Sequence, residues 1–309
     1  MGPNRPERGV SVARFDWYQA TVRAAPGEVL EALGGLAAAG EWEHLQRAPL
    51  GYDIGKRLVD EDGQVCQLWW GGVHDNPHCV FSGETAPAGA DLLRGGFAGR
   101  HSVSRSDVCI DYADVGAYDR LQAIALRVAE ARHVKVGTAG DHLLTKEGRT
   151  VYLGGKGSHT RLRIYDKAAE LRAKYDRNLV KLLEVPAHLA RLEVQVRPQT
   201  PAAKAAAAIA SPVELMGSAE WMRVLMFEVA GLELEPFQAG RVWRQSDDDR
   251  AYAAVLAQYG GMLKRRLRVH GTWACVGLQI GADLAERDAA DRARGTGAGR
   301  PTSAKRPSD

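Results

Sequence analysis

The chain has 309 residues, 45% of them hydrophobic and 26% charged, with a formal net charge of +3. That composition suits one large or two ordinary folded domains and excludes a disordered or fibrous protein. No apolar run reaches the roughly 18–20 residues that cross a bilayer, so no membrane partner is expected.

The opening "MGPNRPERGVSVARF" carries no apolar leader, and Arg5-Pro6 stand where a myristoylation motif places Ser or Thr. Cys66, Cys79, Cys109 and Cys275 are scattered without CxxC spacing. They read as reduced thiols of a cytoplasmic protein. Residues 1–12 read as a flexible arm. "VARFDWYQATV" then alternates as a strand, and "PGEVLEALGGLAAAG" is a helix opened by Pro26. "GYDIGKRLVDEDGQVCQLWWGG" predicts a hairpin turning at Asp62-Gly63. "HCVFSG" and "SVSRSDVCIDYAD" are strand-like, and "AYDRLQAIALRVAEAR" is an amphipathic helix. "DHLLT" and "TVYLGG" suggest a second hairpin around Glu147-Gly148. "RLRIYDK", a helix over about 168–189, and the strand "RLEVQVRP" close an α+β domain spanning 13–198. A helical C-terminal region follows over 199–284, and 285–309, rich in Gly, Pro, Arg and Asp, reads as a disordered tail.

Side chains two apart on a strand share a face. That rule groups Arg161, Arg163, Tyr165 and Lys167; Arg105, Asp107, Cys109 and Asp111; and Arg191, Glu193, Gln195 and Arg197. Each strand turns aliphatic residues to the other side. If the three lie in one antiparallel sheet, it has a packed side and a chemical side. Carboxylates on neighbouring strands suit a hard cation such as Mg²⁺ or Mn²⁺. Arginines bind phosphate bidentately and a lysine adds a point charge. A tyrosine attacks at neutral pH only if its phenolate is stabilised, and the surrounding cations are expected to do that. The set therefore predicts in-line phosphoryl transfer to Tyr165, with Arg163 and Lys167 assisting and Asp107, Asp111 and Glu193 as metal ligands. Arg161, Arg105, Arg191 and Arg197 would contact the DNA backbone.

"RSDVCIDYAD", "TVYLGGKGSHTRLRIYDKAAEL" and "RLEVQVRP", in that order and spacing, resemble the replication initiation factor family. These are the rolling-circle initiators and nickases of plasmids, filamentous phages and integrative elements (the Rep-trans type). "CVFSG" at 79–83 and "FDW" at 15–17 extend the likeness, and the C-terminal helices fit the family's usual tail. The resemblance implies an antiparallel-sheet nicking domain related to the HUH endonucleases but lacking the paired-histidine motif. It implies a metal-dependent enzyme that nicks and rejoins one origin strand through a covalent 5'-phosphotyrosine at Tyr165. Asp107 and Asp111 match the family's acidic strand, Glu193 its late strand, and Asp166-Lys167 its acidic-Lys pair. Ser82-Gly83-Glu84-Thr85 departs from the usual "SGQG" loop. The implied partners are single-stranded or cruciform origin DNA and a host helicase, with monomer or dimer left open. The alternative is a non-catalytic origin-binding regulator derived from such an initiator.

Lys264, Arg265, Arg266 and Arg268 end a helix. They either complement its dipole or contact duplex phosphates. "GGKGS" lacks the Ser or Thr after Lys156 that a phosphate loop needs. Trp69 and Trp70 offer base stacking or simple packing.

Overall fold

The computed structural model describes residues 11–37, 39–61, 63–240 and 247–293. Among these, ten strands form one sheet: β1 (Arg14–Val22), β2 (Glu41–His44), β3 (Ile54–Asp60), β4 (Gly63–Gly71), β5 (His74–Ser82), β6 (His101–Tyr112), β7 (Val136–Ala139), β8 (Thr150–Leu153), β9 (Thr160–Asp166) and β10 (Ala190–Val196). Their order is β2-β3-β4-β5-β1-β6-β10-β9-β8-β7. Every neighbouring pair is antiparallel. The helices of this part are α1 (Pro26–Gly34), α2 (Ala86–Gly96), α3 (Ala117–Ala131), α4 (Lys167–Lys174), α5 (Leu179–Leu183), α6 (Pro201–Ile209), α7 (Pro212–Met216) and α8 (Glu220–Ala230). Two longer helices follow, α9 (Asp247–His270) and α10 (Trp273–Ala293). The architecture is α+β, as the strand and helix periods predict.

One face of the sheet carries the core. Tyr18, Leu68, Phe81, Val108, Ile164 and Leu192 meet Leu33 of α1, Leu93 of α2, Leu121 of α3, Ala207 of α6, Met216 of α7 and Leu225 of α8, all fully buried. Burying each such side chain is worth about 1.5–3 kcal/mol, so this face supplies most of the stability. The opposite face holds a smaller cluster of Ala48, Tyr52, Trp69 and Val80 at its β4–β5 side. Trp69 packs there against His78 at 5.4 Å between ring centroids, whereas Trp70 packs toward the main core.

Local chemistry moved several boundaries. The helix expected over 168–189 breaks after Tyr175, because Asn178 caps a new turn by accepting from the Lys181 amide. Pro186 lies in the segment that ends it. "DHLLT" is a loop, since the Asp141 carboxylate takes the amides of Leu143, Leu144 and Thr145 that a ladder would need. β8 pairs instead with 136–139. The expected arm is anchored at its end, where Ser11 exchanges hydrogen bonds with the backbone of Asp111. Asp62 and residues 1–10 and 294–309 lie outside the described residues, and α10 carries helix past the 285 boundary to Ala293. The chain parts into two compact units between Arg241 and Val242, rather than at 198. The reason is that α6, α7 and α8 contribute to the sheet's own core. No helix among the described residues is long and apolar enough to cross a membrane.

Gly89 faces the Phe81 ring so closely that a Cβ would lie 2.2 Å from it, while Gly95 of the same helix has open space. Gly89→Ala should therefore cost about 1–3 kcal/mol by overpacking. Gly95→Ala should gain up to about 1 kcal/mol from helix propensity. Urea melts of the two variants should shift in opposite directions; equal midpoints would contradict this packing.

Candidate active site

The register of β9, β10 and β6 sets the candidate residues on one face. Arg191 stands between Tyr165 and Asp111, Glu193 between Arg163 and Cys109, and Gln195 between Arg161 and Asp107. The alternation read from sequence is therefore real for these nine positions. It ends at Asp166, whose carboxylate caps α4 by accepting from the Ala169 amide at 2.9 Å. Lys167 consequently begins a helix and pairs with Glu170 at 2.7 Å, leaving its ammonium 5.6 Å from the centre of the Tyr165 ring.

This face is not the open surface that its composition suggests. Tyr165, Asp107, Arg191 and Glu193 are all buried, and buried charges must be paired. Arg191 gives Nε and Nη2 to Asp111 at 2.6 and 2.8 Å and Nη1 to Asp16 at 2.6 Å. Arg14 adds a bond to Asp111 at 2.8 Å. Arg105 pairs with Asp107 and stacks on Trp17 at 4.5 Å. Arg163 pairs with Glu193 at 2.6 Å and lies 4.2 Å over the Tyr165 ring. Arg191 is thus a buried tie between strands, not a surface DNA contact.

Neither the metal nor the phenolate expectation survives this geometry. Asp107 and Asp111 are four residues apart on one strand, about 13 Å at roughly 3.3 Å per residue. Asp111 is also saturated by two guanidiniums. Among the described residues no three His, Cys, Asp or Glu side chains converge as a metal site. The set Asp107, Asp111 and Glu193 does not fit one ion. The phenol of Tyr165 is pushed above its ordinary range, because burial and the Glu193 charge outweigh Arg163 and Arg191.

The arrangement instead joins an acid to a base. The Tyr165 hydroxyl donates toward Glu193 Oε2 at 3.4 Å. Burial pushes the Glu193 carboxyl up to about 7; Arg163 opposes that shift, and Asp107 and Asp16 add to it. Asp107 is likewise raised by burial against the pull of Arg105. Burial would also raise Asp111, but Arg191 and Arg14 outweigh it and hold that carboxyl below the usual range. Beside Glu193 lies a cavity of about 160 Å³ lined by Arg105, Tyr152, Arg161, Leu162, Arg163, Glu193 and Gln195. Arg161 lies 4.1 Å over the Tyr152 ring and makes no carboxylate pair among the described residues; its Nε and that of Arg163 are buried without a partner. Such free guanidinium donors suit a phosphate oxygen.

Sequence reasoning missed Arg14 and the structural part of Asp16. A bulge in β1 between Phe15 and Trp17 breaks the alternation there, and Asp16 meets Arg191. Arg197 sits away from the cavity, its Nη1 on the Lys156 carbonyl at 3.3 Å. Lys264, Arg265, Arg266 and Arg268 are exposed on α9, in the second unit.

No family model and no curated protein matches the sequence. Among solved structures, the chain is similar to a rolling circle replication initiator protein from Geobacillus stearothermophilus. Identity is 17%, coverage 75% of this chain and 100% of that one, and the TM-score 0.49.

The raised Glu193 carboxyl has a consequence for stability. An unfolded Glu releases its proton near about 4.3, whereas the folded one holds it to about 7. Between these values the folded state binds this proton more tightly, so the contribution of Glu193 to stability should fall as pH rises. Glu193→Gln should remove that contribution, leaving those of Asp107 and of His78 and His101, whose proton affinities are lowered by burial and act in the opposite direction. Chemical denaturation across this window checks it, and parallel curves for the two proteins would rule it out.

Proposed function

We propose that the chain nicks and rejoins one strand of origin DNA to initiate rolling-circle replication in the cytoplasm, with Tyr165 as nucleophile. The observation that carries this reading is the Tyr165 hydroxyl 3.4 Å from a buried Glu193 carboxyl whose proton affinity lies near neutrality. The motif order around Tyr165 supports it independently, through the resemblance to the replication initiation factor family.

In this mechanism a phosphodiester enters the cavity, and Arg161 takes its non-bridging oxygens with help from Arg105 and Arg163. The Tyr165 oxygen attacks phosphorus, forming a P–O bond, while the bond from phosphorus to the 3' oxygen breaks. Glu193 receives the phenolic proton, and the departing 3' oxygen takes one from water. Rejoining runs the same steps backward, since the phosphotyrosine ester retains the energy of the broken bond. A general base near its working pH contributes about 10²–10⁴-fold. Guanidiniums that meet charge in the transition state contribute the electrostatic share.

The test is a covalent-adduct assay on a denaturing gel, with labelled single-stranded DNA from the parent replicon. Lanes would contain Mg²⁺, Mn²⁺ or a chelator. Wild type should give a shifted band that Tyr165→Phe lacks while still binding DNA. Glu193→Gln should keep the band but slow its formation by about 10²–10⁴-fold and lose the rate increase through neutral pH. A band lost only with chelator would mean that a cation arriving with DNA supplies charge the arginines do not. Tight native binding by wild type with no band would favour the non-catalytic regulator.

A further inference from the structure

The connection between β7 and β8 is closed at its neck. The Asp141 amide donates to the Glu147 carbonyl at 3.1 Å. At Gly140 a Cβ would lie 2.3 Å from the Gly148 carbonyl oxygen, so only glycine fits there. Beyond the neck, the Asp141 carboxylate accepts from the amides of Leu143, Leu144 and Thr145 and from the Thr145 hydroxyl at 2.8–3.0 Å. The loop is thus fixed by its own hydrogen bonds, yet the Leu143 and Leu144 side chains are 87% and 88% exposed. Leu144 is the most exposed large apolar residue among the described residues, and Leu143 follows it. A single exposed leucine is ordinary, but an adjacent pair on a built loop is a contact surface without its partner.

Position selects that partner. Thr150, where the loop enters β8, stands opposite Tyr165, and the Arg149 carbonyl accepts from the Asp166 amide at 3.3 Å. The leucines therefore ride on the connection at the tyrosine's own end of the sheet. Under the proposed reading, one DNA strand must leave its complement to reach Tyr165, because a cavity of about 160 Å³ takes a phosphate and not a base pair. No phosphate loop drives that separation, since "GGKGS" lacks the Ser or Thr such a loop needs. Binding itself must then open the duplex. Apolar side chains can do this by entering a base step and covering the face that unstacking bares. We propose that Leu143 and Leu144 form a wedge that parts origin DNA beside Tyr165. This inference rests on the reading of Tyr165 as nucleophile.

The adduct assay on three forms of the origin tests it: a single strand, a negatively supercoiled duplex, and a duplex mismatched around the nick. Leu143→Ser with Leu144→Ser should fold, because both side chains are exposed. It should slow adduct formation on the supercoiled duplex by about tenfold or more, and stay within about twofold of wild type on the single strand. Mismatches, which open the duplex beforehand, should restore its rate. Leu143→Met with Leu144→Met keeps an apolar wedge and should act on all three. Equal loss on every DNA, or no restoration by mismatches, would overturn the proposal, as would a wild type confined to the single strand. A serine variant equal to wild type on the supercoiled duplex would overturn it too and leave the pair to a protein partner. No wild-type adduct even on the single strand would sink the nucleophile reading itself, and this inference with it.

Discussion

The sheet depends on one buried guanidinium. Arg191 reaches Asp111 on β6 and Asp16 on β1 from β10, so a single side chain spans three adjacent strands. Water would solvate these charges far better than the interior does, and only close pairing compensates. Removing one member of such a buried set costs about 3–5 kcal/mol, since it strands the others. The β1 bulge at Asp16 makes sense in the same terms, because regular alternation there would leave one Arg191 donor unmet.

The pairing weakens from Asp111 to Asp107 to Glu193, and that difference creates the chemistry. Asp111 is held by two guanidiniums and stays ionised. Asp107 has one full partner in Arg105. Glu193 has only Arg163, whose side chain is 38% exposed and shared with the cavity. Compensation falls and burial deepens from Asp111 to the other two, so Asp111 is held low while Asp107 and Glu193 are raised, Glu193 to about 7. The same electrostatic constraint therefore gives the sheet its integrity at Arg191 and its base at Glu193.

Much of this was legible in the sequence, because two-residue alternation is a local rule wherever one sheet face is buried. It placed Tyr165, Arg163, Glu193 and Asp107 on one side, and it separated Leu162, Ile164, Leu192 and Val194 onto the other. What it lacked was register. Strand pairing is a long-range property, and without it three carboxylates on two strands look like a cluster. The pairing of Cys109 with Glu193 puts Asp107 and Asp111 on opposite sides of that position, which no spacing within β6 could reveal. Lys167 misled for a different reason, since Asp166 is both the last strand residue and a helix cap. Burial misled as well: cations near a phenol lower its proton affinity in water, but desolvation dominates once the ring is inside.

A tyrosine held protonated beside a carboxylate poised at neutrality is a quiet site at rest. Ionising both groups together is disfavoured, because each charge would face low dielectric and the other's field. Under the proposed reading, an incoming phosphodiester changes that balance through Arg163. A guanidinium drawn toward phosphate withdraws from Glu193, and a carboxylate that loses its cation becomes a stronger base. The substrate thereby strengthens the group that must take the phenolic proton, and it does so only while its own phosphate sits within reach of the oxygen. Water entering the cavity brings no such charge and leaves Arg163 on Glu193. Coupling the base to the phosphate through one shared arginine is how a sheet face with no free carboxylate can discriminate its substrate from solvent.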